Sequence, residues 1–374
     1  MKVAIVLNTS WNIYNFRMGM VQSLINEGVE VYAIAPRDDY SELLEEAGCK
    51  YVEVKMDSRG ANPFKDSMLI LELRKIYKDI RPDLIFHFTI KPNIYGTLAA
   101  TSLNIPVVNN VCGLGTVFLK EGIVSKVAVA MYRLAFKYPK KIFFQNKDDK
   151  ALFIERQLVD QTKVDLLPGS GINTSHFQPQ ERQQKDFTFL VISRLIHDKG
   201  ILEYVNAIKK LKQQGINARF QLLGPKDPAH KRGIDLATID NWINSGTVEY
   251  MGTTDDVRTF IKEADCVILP SYREGTPRTL LEAASMGKPL IATNVPGCTN
   301  VVDDQFNGLL CNLKDADDLA DKMQTMYELT EAQRQTMGQR SREKVSKEFD
   351  ERIVIDKYLN CIQEIQHKPV VSHA

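Results

Sequence analysis

Short apolar runs alternating with helical stretches constrain this chain more than any other feature. Lys2–Leu7, Val29–Ala35, Tyr51–Val54, Leu84–Phe88, Pro106–Val108 and Lys141–Gln145 each read as a buried strand. Most are separated by amphipathic stretches such as Phe16–Glu27, which Gly28 ends. Strands buried on both faces and linked by helices belong to a parallel, doubly wound sheet. The rhythm restarts at Phe187–Ile192 and continues through Arg219–Leu223, Val248–Met251, Val267–Leu269 and Lys288–Thr293. A chain of 374 residues exceeds one ordinary core. We therefore expect an α/β protein with Rossmann-like domains over 1–178 and 179–350, the polar run to Asp186 serving as linker, and a final helical segment over 351–374 with a loose tail from His367.

Composition removes several classes. A net charge of +1 gives no global drive toward nucleic acid. The six cysteines are scattered without a C-x-x-C pair, which argues against a disulfide framework or zinc site and for a reducing cytoplasm. Met1-Lys2 leads straight into a strand, so no leader is expected, and no apolar run approaches the roughly 20 residues of a membrane span. The turn after the first strand, Asn8-Thr9-Ser10-Trp11-Asn12, lacks the G-x-G-x-x-G of a dinucleotide site, which disfavours a dehydrogenase.

The chemistry concentrates in two loops of the second half. Ser271–Gly275 follows a strand and feeds a helix, with Thr276 as expected N-cap and Pro277 at the first helical position. Gly275 allows close backbone approach, and a helix start suits an anion. Glu274 and Glu282 have seven residues between them. A carboxylate beside an anion site should face sugar hydroxyls, with Glu282 placed for a ribose diol; both can equally be solvated acids that favour a helix N-terminus. The other loop is Ser193–Gly200, where Arg194 and Lys199 can close on one diphosphate from two sides.

The stretch PSYREGTPRTLLEAASMGKPLIAT, with Glu274-x7-Glu282 inside it, resembles the signature of retaining glycosyltransferase family 4, and the likeness spans nearly the whole chain. The runs Asn109–Thr116 and Leu223-Gly224-Pro225 resemble bacterial capsule and O-antigen enzymes of that family. The resemblance implies the GT-B architecture: two Rossmann-like domains facing a cleft, the last helix crossing back to the first domain with Tyr358, Ile362 and Ile365 as its docking stripe. It implies Glu274 at the donor sugar, Glu282 at the ribose, and Arg194 and Lys199 on the diphosphate. Gly275, Thr276, Pro277, Arg278, Gly224 and Pro225 complete the donor set. Asn8, Thr9, His87, Lys91, Gly113 and Gly115 are the acceptor and cleft candidates. His87 does not fall cleanly on the position of the family's sugar-contacting histidine, which Phe88 or Thr89 can occupy instead, and His87 can equally be a satisfied structural one. Lys91, in the loop after Leu84–Phe88, is the expected anion contact.

The implied reaction moves an N-acetylhexosamine or hexose from a nucleotide diphosphate donor, UDP by expectation, to a lipid-linked saccharide in surface polysaccharide synthesis. A front-face displacement and a covalent Glu intermediate both remain open as the route to retention. No metal and no cofactor are expected, since Asp315-Ala316-Asp317 reads as an acidic helix start. A sugar-nucleotide epimerase or phosphorylase of the same fold, or a non-catalytic nucleotide-sugar binder, would share these features.

Gly113–Lys141 combines Lys120, Lys126, Arg133, Lys137, Lys140 and Lys141 with one acid, Glu121. Phe118, Tyr132, Phe136 and Tyr138 are interleaved. Two readings stand: a helix lying on the anionic inner face of the cell membrane, or a core helix with a solvated basic side. The same basic side could neutralise an acceptor pyrophosphate.

Overall fold

The computed structural model describes residues 1–57, 62–114, 123–183 and 185–366, leaving aside the side chains of Pro63, Ile123 and Val124. The chain divides into two compact units, Met1–Ser170 with Glu351–Ala374, and Gly171–Asp350. The second unit thus begins before the expected boundary at 178/179. The reason is packing: Ile172 and Phe177 sit in its core, and the Ile172 amide donates to the Phe349 carbonyl.

The first unit runs β1 (Lys2–Val6), α1 (Ser10–Asn26), β2 (Glu30–Ala35), α2 (Ser41–Glu46), β3 (Lys50–Glu53), α3 (Pro63–Ile80) and β4 (Leu84–Phe88). A π-helical turn, Pro92–Gly96, leads into α4 (Thr97–Thr101); then come β5 (Val107–Val111), α5 (Ile123–Ala135), β6 (Lys141–Phe144), α6 (Lys147–Glu155) and β7 (Val164–Leu166). Its seven strands are parallel in the order β3-β2-β1-β4-β5-β6-β7. Strand period places Val3, Ile5 and Leu7 in the core on one face and Ala4 and Val6 on the other. The C-terminal helix Glu351–Gln366 belongs to this unit, and Tyr358, Ile362 and Ile365 form its stripe against the first of those faces. The Tyr358 hydroxyl donates to Asn110 Oδ1 at 2.8 Å.

α1 starts six residues before the expected Phe16. Thr9 takes the N-cap, its Oγ1 accepting from the Asn12 amide at 3.2 Å, so a polar stretch that reads as a turn is the first turn of a helix.

The second unit runs β8 (Thr188–Ile192), α7 (Ile201–Gln213), β9 (Arg219–Leu223), α8 (Leu236–Asn244), β10 (Glu249–Tyr250), α9 (Arg258–Ile261) and β11 (Cys266–Leu269). There follow α10 (Arg278–Ser285), β12 (Leu290–Thr293), α11 (Cys298–Val301), β13 (Gly308–Cys311), α12 (Ala316–Glu328) and α13 (Glu331–Glu348). Its six parallel strands take the order β10-β9-β8-β11-β12-β13. Phe189 and Val191 point into one core layer, Leu190 and Ile192 into the other. Asp315 caps α12 through the amides of Asp317 and Asp318, which accounts for the acidic cluster there. All six cysteines are free thiols, and all but Cys112 are buried.

Candidate active site

In an open parallel sheet, ligands gather where strand order reverses, beyond the carboxyl ends. In the second unit that point lies between β8 and β11. The loops after these two strands carry Arg194, Lys199 and Glu274. A backbone and a side-chain hydrogen bond hold them together: the Tyr272 amide donates to the Asp198 carbonyl at 2.9 Å, and Thr279 Oγ1 donates to the Ile192 carbonyl at 3.2 Å. Lys199, on a 3-10 turn closed by left-handed Gly200, ion-pairs with Glu274. Arg194 is more open, its side chain 48% exposed and its Nη1 3.9 Å from Asp227 Oδ2.

Gly224 and Pro225 act here through backbone. A Cβ on Gly224, whose φ is +137°, would lie 2.1 Å from the Ser193 carbonyl oxygen, and the Pro225 carbonyl accepts from the Leu195 amide at 3.0 Å. They fix the Arg194 loop from beneath. Thr276 is not the N-cap of α10; Pro277 holds that position in an extended conformation, without a side-chain capping bond. Gly275 precedes it, so the amino end of α10 opens directly onto the Glu274 loop.

Glu282 lies on α10 with its side chain 12% exposed. Arg278 Nε donates to Glu282 Oε1 at 3.0 Å, and Arg278 Nη1 reaches the Gly171 carbonyl at 3.3 Å. Arg278 therefore orients a carboxylate and the start of the unit's chain. Burial raises the Glu282 carboxyl pKa, and the guanidinium offsets part of that rise.

The candidates in the first unit divide. Asn8 and Thr89 follow β1 and β4, the strands where this sheet reverses. Asn8 Oδ1 and Thr89 Oγ1 are buried without a hydrogen-bond partner. Thr9 is spent as a helix cap, and Gly113 follows β5 with a φ of +135°. Gly115 lies outside the described residues. Lys91 is not an open anion contact: its Nζ is 2.9 Å from Asp66 Oδ1, with the two side chains only 14% and 7% exposed. Asp66 lies on α3, far away in sequence, so this pairing left no local trace.

His87 is likewise removed from the open set. It is fully buried, its Nε2 2.9 Å from the Tyr77 hydroxyl and its Nδ1 3.2 Å from Asn109 Oδ1. Burial pushes its pKa down to about 3. The unfolded chain takes up this proton near pH 6.5, so His87 contributes stability fully above that pH and progressively less as pH falls toward 3. Lowering pH from about 7.5 to about 5.5 should therefore cost the first unit roughly 1.4 kcal/mol through this group. Trp11 fluorescence in a Trp242→Phe background follows that unit in denaturant melts. The pH-dependent loss should shrink by that amount in His87→Asn; an identical loss in both proteins would refute the assignment.

α5 turns Tyr132, Ala135 and Phe136 into the core, where they pack with Phe153. The aromatics expected to be interleaved with the cations are thus partly interior. Val127 (57% exposed), Leu134 (43%) and Tyr138 remain outside, among exposed Lys126, Arg133 and Lys137. Lys120, Glu121 and Phe118 lie outside the described residues. Among the described residues, no helix is long and apolar enough to cross a membrane, and no group of three metal-ligating side chains occurs.

Sequence reasoning missed Asp227, which faces Arg194, and Gly297, against whose α-carbon the Glu274 loop rests. Both are tertiary facts. Gly297, in the loop after β12, carried a hint as a glycine directly before the short helix α11.

Two doubly wound parallel sheets, with cations and carboxylates gathered at the reversal point of the second, define a GT-B protein. The chain matches the family described as glycosyl transferases group 1 over residues 173–344 and that described as glycosyl transferase 4-like over residues 2–146. It belongs to the family 4-like glycosyltransferases. It is 28% identical to the N,N'-diacetylbacillosaminyl-diphospho-undecaprenol alpha-1,3-N-acetylgalactosaminyltransferase of Campylobacter jejuni, over 98% of this chain and 99% of that one. It is 26% identical to the UDP-Gal:alpha-D-GlcNAc-diphosphoundecaprenol alpha-1,3-galactosyltransferase of Escherichia coli, over 69% and 70%. The crystal structure of Anabaena HepE in complex with UDP superposes with a TM-score of 0.80 at 17% identity, covering 97% of this chain and 100% of that one, which speaks for the fold.

Proposed function

We propose that this glycosyltransferase moves an N-acetylhexosamine or hexose from a UDP-sugar to a lipid-linked saccharide in surface polysaccharide synthesis, with retention and without metal or cofactor. The observation that carries this reading is the meeting of Arg194, Lys199, Glu274 and the start of α10 at one sheet reversal. As the bond from the anomeric carbon to the diphosphate breaks, negative charge grows on the leaving oxygen. Two cations and a helix start are suited to receive it, which is the work a metal would otherwise do. Glu274 orients the sugar through its hydroxyls, and Glu282 holds the ribose. The acceptor oxygen bonds to the anomeric carbon on the same face, and its proton passes to the leaving phosphate. The lipid-linked acceptor is supported by the two relatives, both named for diphosphoundecaprenol substrates.

Mixing the protein with UDP-sugars and a saccharide on diphosphoundecaprenol, in excess EDTA, tests each part. Transfer should proceed, and NMR of the product should show the donor's anomeric configuration. Absence of transfer from any UDP-sugar removes the donor class. An inverted product removes retention, and loss on chelation restored by Mg²⁺ removes metal independence.

The exposed line Val127, Leu134 and Tyr138, flanked by cations, supports seating on an anionic membrane. Each cation near such a surface contributes about 1 kcal/mol. Changing Lys126, Arg133 and Lys137 together to Gln should weaken co-sedimentation with phosphatidylserine vesicles about 100-fold at low salt. Equal pelleting of both proteins would leave α5 as a core helix with a solvated side.

A further inference from the structure

One cation in the first unit has no counterpart in the mechanism above. Arg17, on α1, is only 5% exposed, and among the described residues no carboxylate pairs with it. Its guanidinium lies over the Phe88 ring, 4.5 Å from the centroid. Nη1 donates to the Phe16 carbonyl at 2.8 Å, Nη2 makes a 3.6 Å contact with Cys112 Sγ, and Nε has no partner. A thiol is a weak acceptor, so most of the five donors of this fork remain without a strong partner.

A buried charge without a counter-ion costs several kcal/mol, which packing on one aromatic ring does not return. Its position is specific. Phe88 ends β4 and Cys112 follows β5, so the guanidinium sits at the carboxyl ends of the sheet, beside its reversal point. Two buried side-chain oxygens of this unit without a hydrogen-bond partner, Asn8 Oδ1 and Thr89 Oγ1, mark the same end. A planar fork with free donors matches a phosphate in two-bond geometry. The Thr89 hydroxyl and the Asn8 amide at that end of the sheet suit the sugar that a glycosyl phosphate carries.

We propose that Arg17 is the anion-binding residue of the acceptor subsite, holding a phosphate of the diphosphate that joins saccharide to lipid. The assignment rests on the lipid-linked acceptor proposed above. Arg17 binds and positions; the displacement itself belongs to the second unit. It makes a charged acceptor a better substrate than the same saccharide on a neutral tail.

The test compares two acceptors with one saccharide, one on a diphosphate-linked lipid and one on an uncharged alkyl glycoside. Arg17→Gln should raise KM for the diphosphate acceptor about 10- to 100-fold and leave KM for donor and neutral acceptor within about twofold. Arg17→Lys, which keeps the charge and loses the fork, should fall between. Equal damage to both acceptors would make Arg17 a packing residue and overturn the proposal. A readout without turnover separates this from failure of the acceptor reading. Cys112 is the one cysteine not fully buried, so inorganic pyrophosphate should slow its alkylation in wild type and in Arg194→Ala, but not in Arg17→Gln. No protection in wild type, or equal protection in Arg17→Gln, overturns the anion site. Protection without transfer to any diphosphate-linked acceptor would place the failure in the acceptor reading.

Discussion

Lys199→Met is expected to lower kcat/KM by about 10²- to 10³-fold, and by more than Arg194→Ala. Loss of one donor aimed at developing charge costs roughly 2.7–4 kcal/mol. Lys199 should stand at the upper end because it has two duties. Its side chain is 22% exposed against 48% for Arg194, so its charge acts in a less screened setting. It also neutralises Glu274, whose side chain is 14% exposed. Without Lys199 that carboxylate remains in the site, repelling the donor's diphosphate. A double-mutant cycle separates the duties. If Lys199 only neutralises Glu274, adding Glu274→Gln to Lys199→Met should restore activity. If it stabilises the leaving diphosphate, the double variant should stay at or below the single. Recovery to within tenfold of wild type would refute the leaving-group role.

The fold was legible because its signals are periodic and local. β-Strand runs such as Leu84–Phe88 and Arg219–Leu223 appear where their apolar patterns put them. Arg194, Lys199 and Glu274 could be placed after β8 and β11 because a loop between a strand and a helix has a fixed address in a parallel sheet, and Glu282 because it lies within the helix that follows. Other features depend on contacts that sequence does not order. Lys91 looks like an open cation until Asp66 reaches it from α3. His87 looks like a cleft residue, yet the close approach of Gly96 seals it: a Cβ there would lie 2.5 Å from His87 Nε2. Arg17 lies in an ordinary amphipathic stretch, and only Phe88 and Cys112, from distant strands, make its isolation visible. The start of α1 was hidden because Asn8–Asn12 is polar enough to pass for a turn.

Gly297 yields a consequence of the same kind. Its φ is +88°, and an added Cβ would lie 2.6 Å from the carbonyl oxygens of both Glu274 and Gly275. Those atoms are backbone, so no side chain can rotate to relieve the clash. The Glu274 amide donates to the Pro296 carbonyl at 3.4 Å, so the loop after β12 is the surface on which the Glu274 loop rests. Gly297→Ala must therefore push Glu274 and the entry to α10 outward. A displacement of about 1 Å in a positioning group can cost 100-fold in rate, and kcat should fall by about that factor. Overpacking and the strained backbone should together cost about 1–3 kcal/mol. Gly215→Ala is the control. Its φ of +79° imposes similar strain, yet a Cβ there meets nothing within 4 Å. It should lower stability while kcat stays within about twofold. Thermal melts and kcat, measured on both variants well below their transitions, separate strain from displacement. If Gly297→Ala kept kcat within about twofold of Gly215→Ala, the contact between these loops would not be what holds Glu274 in place.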